Sequence, residues 1–425
     1  MGSRTGKLIA GQALPTLVIS MEADRKLVEI VRSSEKEMVR SLTEMISIPA
    51  ISPESSGEGE YDRAEFLVSL LRENGITSIE RCDAPDKKAK KGRRPNIIAT
   101  LGSGKPFLWV ISHMDTVPVG DRSLWKTDPF NAQVKNGKLY GRGSEDNGQS
   151  LVASLYAARA ALQSGATPSI KLAFVSDEEL GSEKGITYVA SKNKFARGDE
   201  FLVPDAGSRT GDEIEIAEKH SLWARIRTEG VQTHASMPNT GVNAKVAASR
   251  FLVFIRDYLY SRYSAVDNLF NPVPYSTFEP TRQMANVDNV NTIPGTDEFY
   301  IDSRILPSYN ISKILSDMRS IAEVFTRQTG AKISVEVFRK SVAARPTSKD
   351  SLISVKTAEA IRRVRGIEPR FVGIGGGTCA NIVRARGFQA AVWSTEDGMA
   401  HQPNEYSVVK NMVADAEVMA SMFVS

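Results

Sequence analysis

Two cysteines in 425 residues, Cys82 and Cys379, are too few to staple a chain of this length, and the sequence reads as intracellular. No stretch approaches the ~20 consecutive apolar residues of a membrane-spanning helix, so no membrane-bound part is expected. Strong charge of one sign is also missing: the formal net charge is +4. Much of that excess sits in one cluster, Lys87, Lys88, Lys90, Lys91, Arg93 and Arg94. No aromatic residue interleaves the cluster and strand-like segments flank it, so it reads as a solvated loop and no nucleic-acid partner is expected. Arg4 and Lys7 precede an apolar stretch over 8–19 that loosely imitates an export signal. Gln12 and Pro15 interrupt that stretch and no clean small-residue cleavage site follows, which leaves a cytoplasmic location, with Met21 as an alternative start.

What is present is an ordinary globular balance, 41% apolar and 24% charged, in a chain too long for one core. Apolar periodicity predicts helices over 37–46, 63–74 and 147–162, and strands over 96–101, 107–112, 170–176 and 201–204. Strands alternating with helices imply an α/β layer with a mixed, mostly parallel sheet flanked by helices. Near Ile216 the pattern changes. Strands over 222–228, 299–305 and 332–338, with helices over 244–263 and 311–329, predict an inserted α+β domain of antiparallel strands and two helices. The first style returns with a helix over 352–365 and strands over 370–374 and 389–394. The expected division is 1–218 and 340–425 for a discontinuous catalytic domain, with 219–339 as the insertion.

Histidine is as scarce as cysteine: only His113, His220, His234 and His401 occur. Two of them, with several acids, fall where apolar runs end. His113 and Asp115 follow the second strand, Asp177-Glu178-Glu179 the third, Asp205 the fourth, and His401 lies on the loop after the last. In open α/β sheets ligands bind beyond the carboxyl ends of strands, so these groups are expected to converge. Each alone has a plainer reading: a buried histidine, a helix-capping acid, a turn aspartate. Three adjacent carboxylates after an apolar strand are costly without a cation, and an imidazole–carboxylate set suits zinc, cobalt or manganese. Asp146, in Gly141-Arg142-Gly143-Ser144-Glu145-Asp146, adds an acid near the start of the long helix.

These residues resemble a known family, the co-catalytic metallopeptidases and deacylases that include succinyl-diaminopimelate desuccinylase, acetylornithine deacetylase, glutamate-releasing carboxypeptidases and aminoacylases. The resemblance runs from about 40 to 423. It is carried by Ser112-His113-Met114-Asp115, the Gly141–Asp146 run, Asp177-Glu178-Glu179, Pro204-Asp205, Thr233-His234-Ala235-Ser236-Met237-Pro238, Asn289-Val290-Asn291-Thr292 and Ala400-His401-Gln402-Pro403-Asn404-Glu405. It implies two divalent metal ions, zinc by preference, with Asp146 bridging them. His113 and Asp205 complete one site, and Glu179 and His401 the other. By the same resemblance Glu178 is the general base, Asp115 orients His113, and the Asp146–Asn147 peptide is cis. His234, in the inserted lid or dimerisation domain, is implied to reach a partner's active site and support the oxyanion, which requires a homodimer. Asn291 and Arg304 resemble a carboxylate grip; the alternative for Arg304 is an ion pair with Asp302. Gly375, Gly376, Gly377 and Thr378 resemble a glycine-rich substrate loop. His220 matches no ligand position and reads as structural.

Two departures bear on the substrate. Cys379-Ala380-Asn381 stands where many relatives have Asp-Ala-Arg, and Asn147-Gly148-Gln149 where Met-Lys-Gly is common; neither is expected to touch the metal site. The implied activity is hydrolysis of an amide beside a carboxylate in a small molecule, by a metal-bridging hydroxide with Glu178 as base. An N-acyl amino acid deacylase of the desuccinylase or deacetylase type is the first reading. A dipeptidase, aminopeptidase or carboxypeptidase is the second, and a non-catalytic metal- or ligand-binding homologue the remote third.

Overall fold

The computed structural model describes residues 25–424. The export-like stretch over 8–19 and Met21 lie outside them. The chain divides into two units. One comprises the chain up to Ile216, Thr347–Phe371 and the chain from Thr378; the other comprises Ala217–Pro346 and Val372–Gly377.

The first unit is built on an eight-stranded mixed sheet in the order Ile79–Arg81, Ile97–Leu101, Ile170–Val175, Leu108–His113, Glu200–Val203, Gln389–Val392, Glu213–Glu218, Arg370–Ile374. Leu108–His113 lies parallel to both neighbours, and Gln389–Val392 parallel to Glu200–Val203. Antiparallel pairings extend this centre on both sides. Every residue of Leu108–His113 is buried, as expected of a central strand covered on two faces. Its register pairs His113 with Val175, so the loops after both strands leave from the same level. Helices Ser150–Gln163, Leu352–Arg365 and Val409–Phe423 pack together in this unit. The helix expected from 147 begins regularly at Ser150, because Ser144–Gln149 forms a wider turn.

The second unit is a four-stranded antiparallel sheet in the order Thr277–Gln283, Thr296–Ile305, His220–Glu229, Lys332–Ser341. Burial alternates residue by residue along His220–Glu229 and Thr296–Ile305. The inward set, including Leu222, Ala224, Ile226, Phe299 and Ile301, packs with Phe251, Ile255, Ile314 and Met318. The last four belong to Ala244–Arg262 and Ile311–Thr329, whose first amides are capped by the side chains of Asn243 and Asn310. Trp223, Arg225, Tyr300, Asp302 and Arg304 occupy the alternating positions of the opposite face.

The basic cluster needs one correction. Lys87, Lys88, Lys91 and Arg93 are exposed, but Arg94 is fully buried. Its guanidinium is paired with the equally buried Glu60 and lies 3.5 Å from Asp177. Arg94, buried and ion-paired, belongs to the interior and not to a solvated loop. His220 is structural, its Nε2 3.1 Å from the Tyr309 carbonyl and its Nδ1 2.7 Å from the Ala343 amide.

Candidate active site

Three strand ends of the first unit bring His113, Glu178, Glu179 and Asp205 together, and the turn before helix Ser150–Gln163 adds Asp146. His113, Glu178 and Asp205 form one group of potential ligands with donor atoms within 4.8 Å of one another, and His113, Asp146 and Glu179 form a second. His113 Nε2 is 2.8 Å from Asp146 Oδ1 and 3.2 Å from Asp205 Oδ1. His401 Nε2 is 2.9 Å from Glu179 Oε2 and 3.2 Å from Asp146 Oδ2. Asp146 therefore turns one oxygen to each histidine. Ligand atoms at ~2.0–2.2 Å from a tetrahedral ion stand about 3.3–3.6 Å apart, a few tenths of an ångström beyond these spacings. The donor set, two imidazoles among four carboxylates, fits a pair of divalent cations.

The electrostatics follow from that crowding. Burial, then the charge of Asp205, pushes the Glu178 carboxyl well above its usual range. Burial and Asp146 raise Glu179 to about 7, and burial raises Asp205. Burial opposes charge on His113 and on Asp146 alike. The charge of Asp205, with the nearby Asp115 carboxylate and hydrogen bonds to Asp146 and Asp205, nevertheless holds His113 well above its ordinary value. Hydrogen bonds from His113 and His401 hold Asp146 below the usual carboxylate range. His401 is pushed up to about 10 by Asp146 and Glu179. Protons here do the neutralising that cations would do when bound.

Several placements differ from expectation. Asp177 does not join the cluster: it adopts a left-handed backbone (φ 66°), and its carboxylate accepts from the Lys184 amide and faces Arg94. The Asp115 carboxylate lies 3.6 Å from His113 Nδ1, whereas its backbone carbonyl lies 3.0 Å away. Instead the carboxylate accepts the amides of Glu178 and Glu179, each at 3.1 Å. As the resemblance implied, the peptide between Asp146 and Asn147 is cis. Asn147, one of the departures, does touch the cluster: its Nδ2 donates to Pro204 O at 2.6 Å and to Asp205 Oδ1 at 2.9 Å.

Two acids were not singled out from the sequence. The buried Glu405 carboxylate accepts from the amides of Gly143, Glu145 and Asp146 and from Arg142 Nη1 at 2.7 Å. It encloses the turn that presents Asp146. Glu145 accepts from the amides of Asp397, at 2.7 Å, and Met399, gripping the loop that leads to His401. His401 itself has a left-handed backbone (φ 65°), so its placement needs such support. The signal available was weak: Glu405 ends the last motif and Glu145 precedes Asp146.

The remaining candidates stand elsewhere. His234 is exposed in the second unit, its Nδ1 2.8 Å from Ser236 Oγ. Asn291 is exposed next to the short pairing of His234 with Thr292, its carbonyl accepting from Ala235 N at 2.8 Å. Arg304 makes the alternative contact, gripping Asp302 through Nε at 2.8 Å and Nη2 at 3.1 Å, with Nη1 on Gly375 O at 3.1 Å. Gly376 and Gly377 are exposed, and Thr378 is buried, accepting from Ala380 N at the start of helix Cys379–Ala385.

Residues 109–425 match the model of peptidase family M20/M25/M40. An uncharacterized metallohydrolase of Methanococcus maripaludis is 37% identical over 411 residues, covering 91% of this chain and 99% of the relative. A succinyl-diaminopimelate desuccinylase of Parvibaculum lavamentivorans is 28% identical over 358 residues, covering 79% of this chain and 88% of the relative. Among solved structures, the di-peptidase Dug1p of Saccharomyces cerevisiae aligns with a TM-score of 0.76 at 17% identity, over 95% of this chain and 98% of that one.

Proposed function

The chain belongs to peptidase family M20/M25/M40 and is a metal-dependent hydrolase of amide or peptide bonds with two metal ions, and we propose that it deacylates a small N-acyl amino acid. The supporting observation is the division of Asp146 between His113 and His401. In this reading His113 and Asp205 hold one ion, Glu179 and His401 the other, and Asp146 is shared. Zinc suits this set, with cobalt or manganese as alternatives. When bound, the ions supply positive charge that polarises an amide carbonyl and acidifies water.

The chain's own groups do the rest. Glu178, buried among other carboxylates, has a raised proton affinity that lets it take a proton from water and pass it to the departing amine nitrogen. Asp115 positions rather than reacts: its carboxylate fixes the Glu178–Glu179 backbone, and its carbonyl fixes the His113 ring. His234 of a partner subunit donates to the developing oxyanion, in a cytoplasmic homodimer formed through the second unit. Asn291 and Arg304 hold the substrate carboxylate, Arg304 by exchanging Asp302 for it on its planar fork. Gly376 and Gly377 offer backbone amides, and Thr378 a hydroxyl, to the acyl end.

The relative named as a desuccinylase favours a deacylase. A dipeptidase or aminopeptidase is the second reading, since the same groups cut a peptide bond and the yeast neighbour is named a di-peptidase. Complete retention of the five ligands and of Glu178 speaks against a non-catalytic homologue. Purified protein loaded with zinc, cobalt or manganese is assayed on N-acetyl and N-succinyl amino acids and on dipeptides, with light scattering for mass. Preference for the N-acyl series and a mass of two chains is expected. Turnover of dipeptides alone moves the assignment to the second reading, no turnover of either series contradicts both, and a mass of one chain removes the role of His234.

A further inference from the structure

The outer face of the antiparallel sheet carries a cavity that none of these roles uses. It has a volume of about 270 Å³ and is walled chiefly by Trp223, Tyr300 and Phe338, with Thr281, Arg282 and Asp302 at its margin. Strand register makes the cluster inevitable: Trp223 stands opposite Asp302 and Arg339, and Tyr300 opposite Arg282. The Trp223 and Phe338 rings are stacked with centroids 6.3 Å apart, and Tyr300 meets Phe338 edge-on at 5.4 Å.

Two features distinguish this hollow from an incidental gap between surface rings. The Trp223 Nε1–H is buried and has no hydrogen-bond partner among the described residues. A buried donor left unpaired is costly, so an acceptor is expected there. Arg282 lies over the Tyr300 ring at 5.1 Å, and Arg339 over Trp223 at 5.2 Å, and neither makes an ion pair among the described residues. Asp302, the one acid at the margin, is already held by Arg304. The hollow is thus apolar within and cationic at the rim, and among the described residues no acceptor meets the Trp223 donor.

Its size limits the occupant. Whole-ligand pockets measure roughly 300–1,000 Å³, so this space takes one ring-sized part of a larger molecule. Arg304 projects from the same face two residues beyond Asp302, a step of about 6.6 Å along a strand. We propose that this cavity is a recognition subsite for an aryl or branched apolar group of a carboxylate ligand, with an oxygen of that ligand accepting from Trp223 Nε1 and facing Arg282. The proposal rests on the reading of the substrate as an N-acyl amino acid, for which it names the class: one bearing a ring or branched chain.

Binding of 3-phenylpropanoate to the metal-loaded enzyme, by calorimetry, tests the site apart from turnover. Propanoate and 3-phenylpropan-1-ol serve as probes lacking the ring and the charge. Phe338→Ala, at an exposed position, should weaken phenylpropanoate about tenfold or more while leaving propanoate unchanged, and Arg282→Ala, also exposed, should weaken both carboxylates while leaving 3-phenylpropan-1-ol unchanged. Phe338→Ala should also raise KM for an N-benzoyl amino acid and leave KM for its N-acetyl counterpart and both kcat values unaltered. Phenylpropanoate binding that ignores both substitutions places the probe at the metals and overturns the proposal. Loss of binding in the variants without a KM change assigns the cavity to a free carboxylate and not to the substrate. If no N-acyl amino acid is turned over but the variant-sensitive binding persists, the proposed function fails and the cavity stands.

Discussion

Glu178 and His401 show how much a single side chain owes to its neighbours. Glu178 reads in the sequence as the middle of an acidic triplet, yet the fold separates the three: Asp177 turns towards Arg94, while Glu178 and Glu179 stay with His113. If Glu178 is the proton carrier, Glu178→Gln retains both ions and lowers kcat by about 10²–10⁴, with KM little changed. Metal analysis beside steady-state kinetics checks this, and near-normal turnover rejects the assignment. His401 is held protonated up to about 10 in the metal-free chain. A ligand nitrogen must be unprotonated, so below that pH loading expels a proton, and affinity rises as pH rises towards 10. Calorimetry at pH 7.5 in two buffers of different ionisation enthalpy should report release of about one proton or more. No release contradicts His401 as a ligand.

At the scale of elements, the loops matter more than the strands that launch them. Glu405 closes the turn carrying Asp146, and Glu145 closes the loop carrying His401. Glu145→Ala should leave the ion at His113 and Asp205 in place and lose the one at His401, measured as metal content after dialysis. Equal loss of both ions, or of neither, contradicts this division of labour. Such clamps were hidden in the sequence because their partners are backbone amides some 250 residues away, and amides carry no sequence signature. Strand Thr277–Gln283 was hidden for another reason. It contains Pro280, which a central strand does not tolerate, and it occupies the sheet's edge, where proline is admissible. By contrast Leu108–His113 and Ile170–Val175 were legible to within a residue, since central strands buried on both faces read as nearly continuous apolar runs.

Over the whole molecule, the ligand candidates other than Asp146 could be read because each lies at or beyond a strand end, and the parallel centre of the sheet sets those ends at one level. Residues 113, 146, 179, 205 and 401 are scattered along the chain, and the topology gathers them. The Arg304–Asp302 pair was legible as the alternative to a substrate contact, two positions apart on one strand face. Asn147 was less legible: it looked remote from the ligands and orients Asp205. That contact depends on a side-chain direction that periodicity does not encode.

Asp146 is the joint of this account, and counting bound zinc tests it most directly. Metal-free protein is dialysed against zinc, cleared of the excess, and analysed for ions per chain, as the natural sequence and as Asp146→Ala. The expected result is two ions per chain for the natural protein, with the substitution removing at least one and abolishing hydrolysis. A single ion per chain in the fully active enzyme, or an Asp146→Ala protein that keeps two ions and its activity, would contradict it.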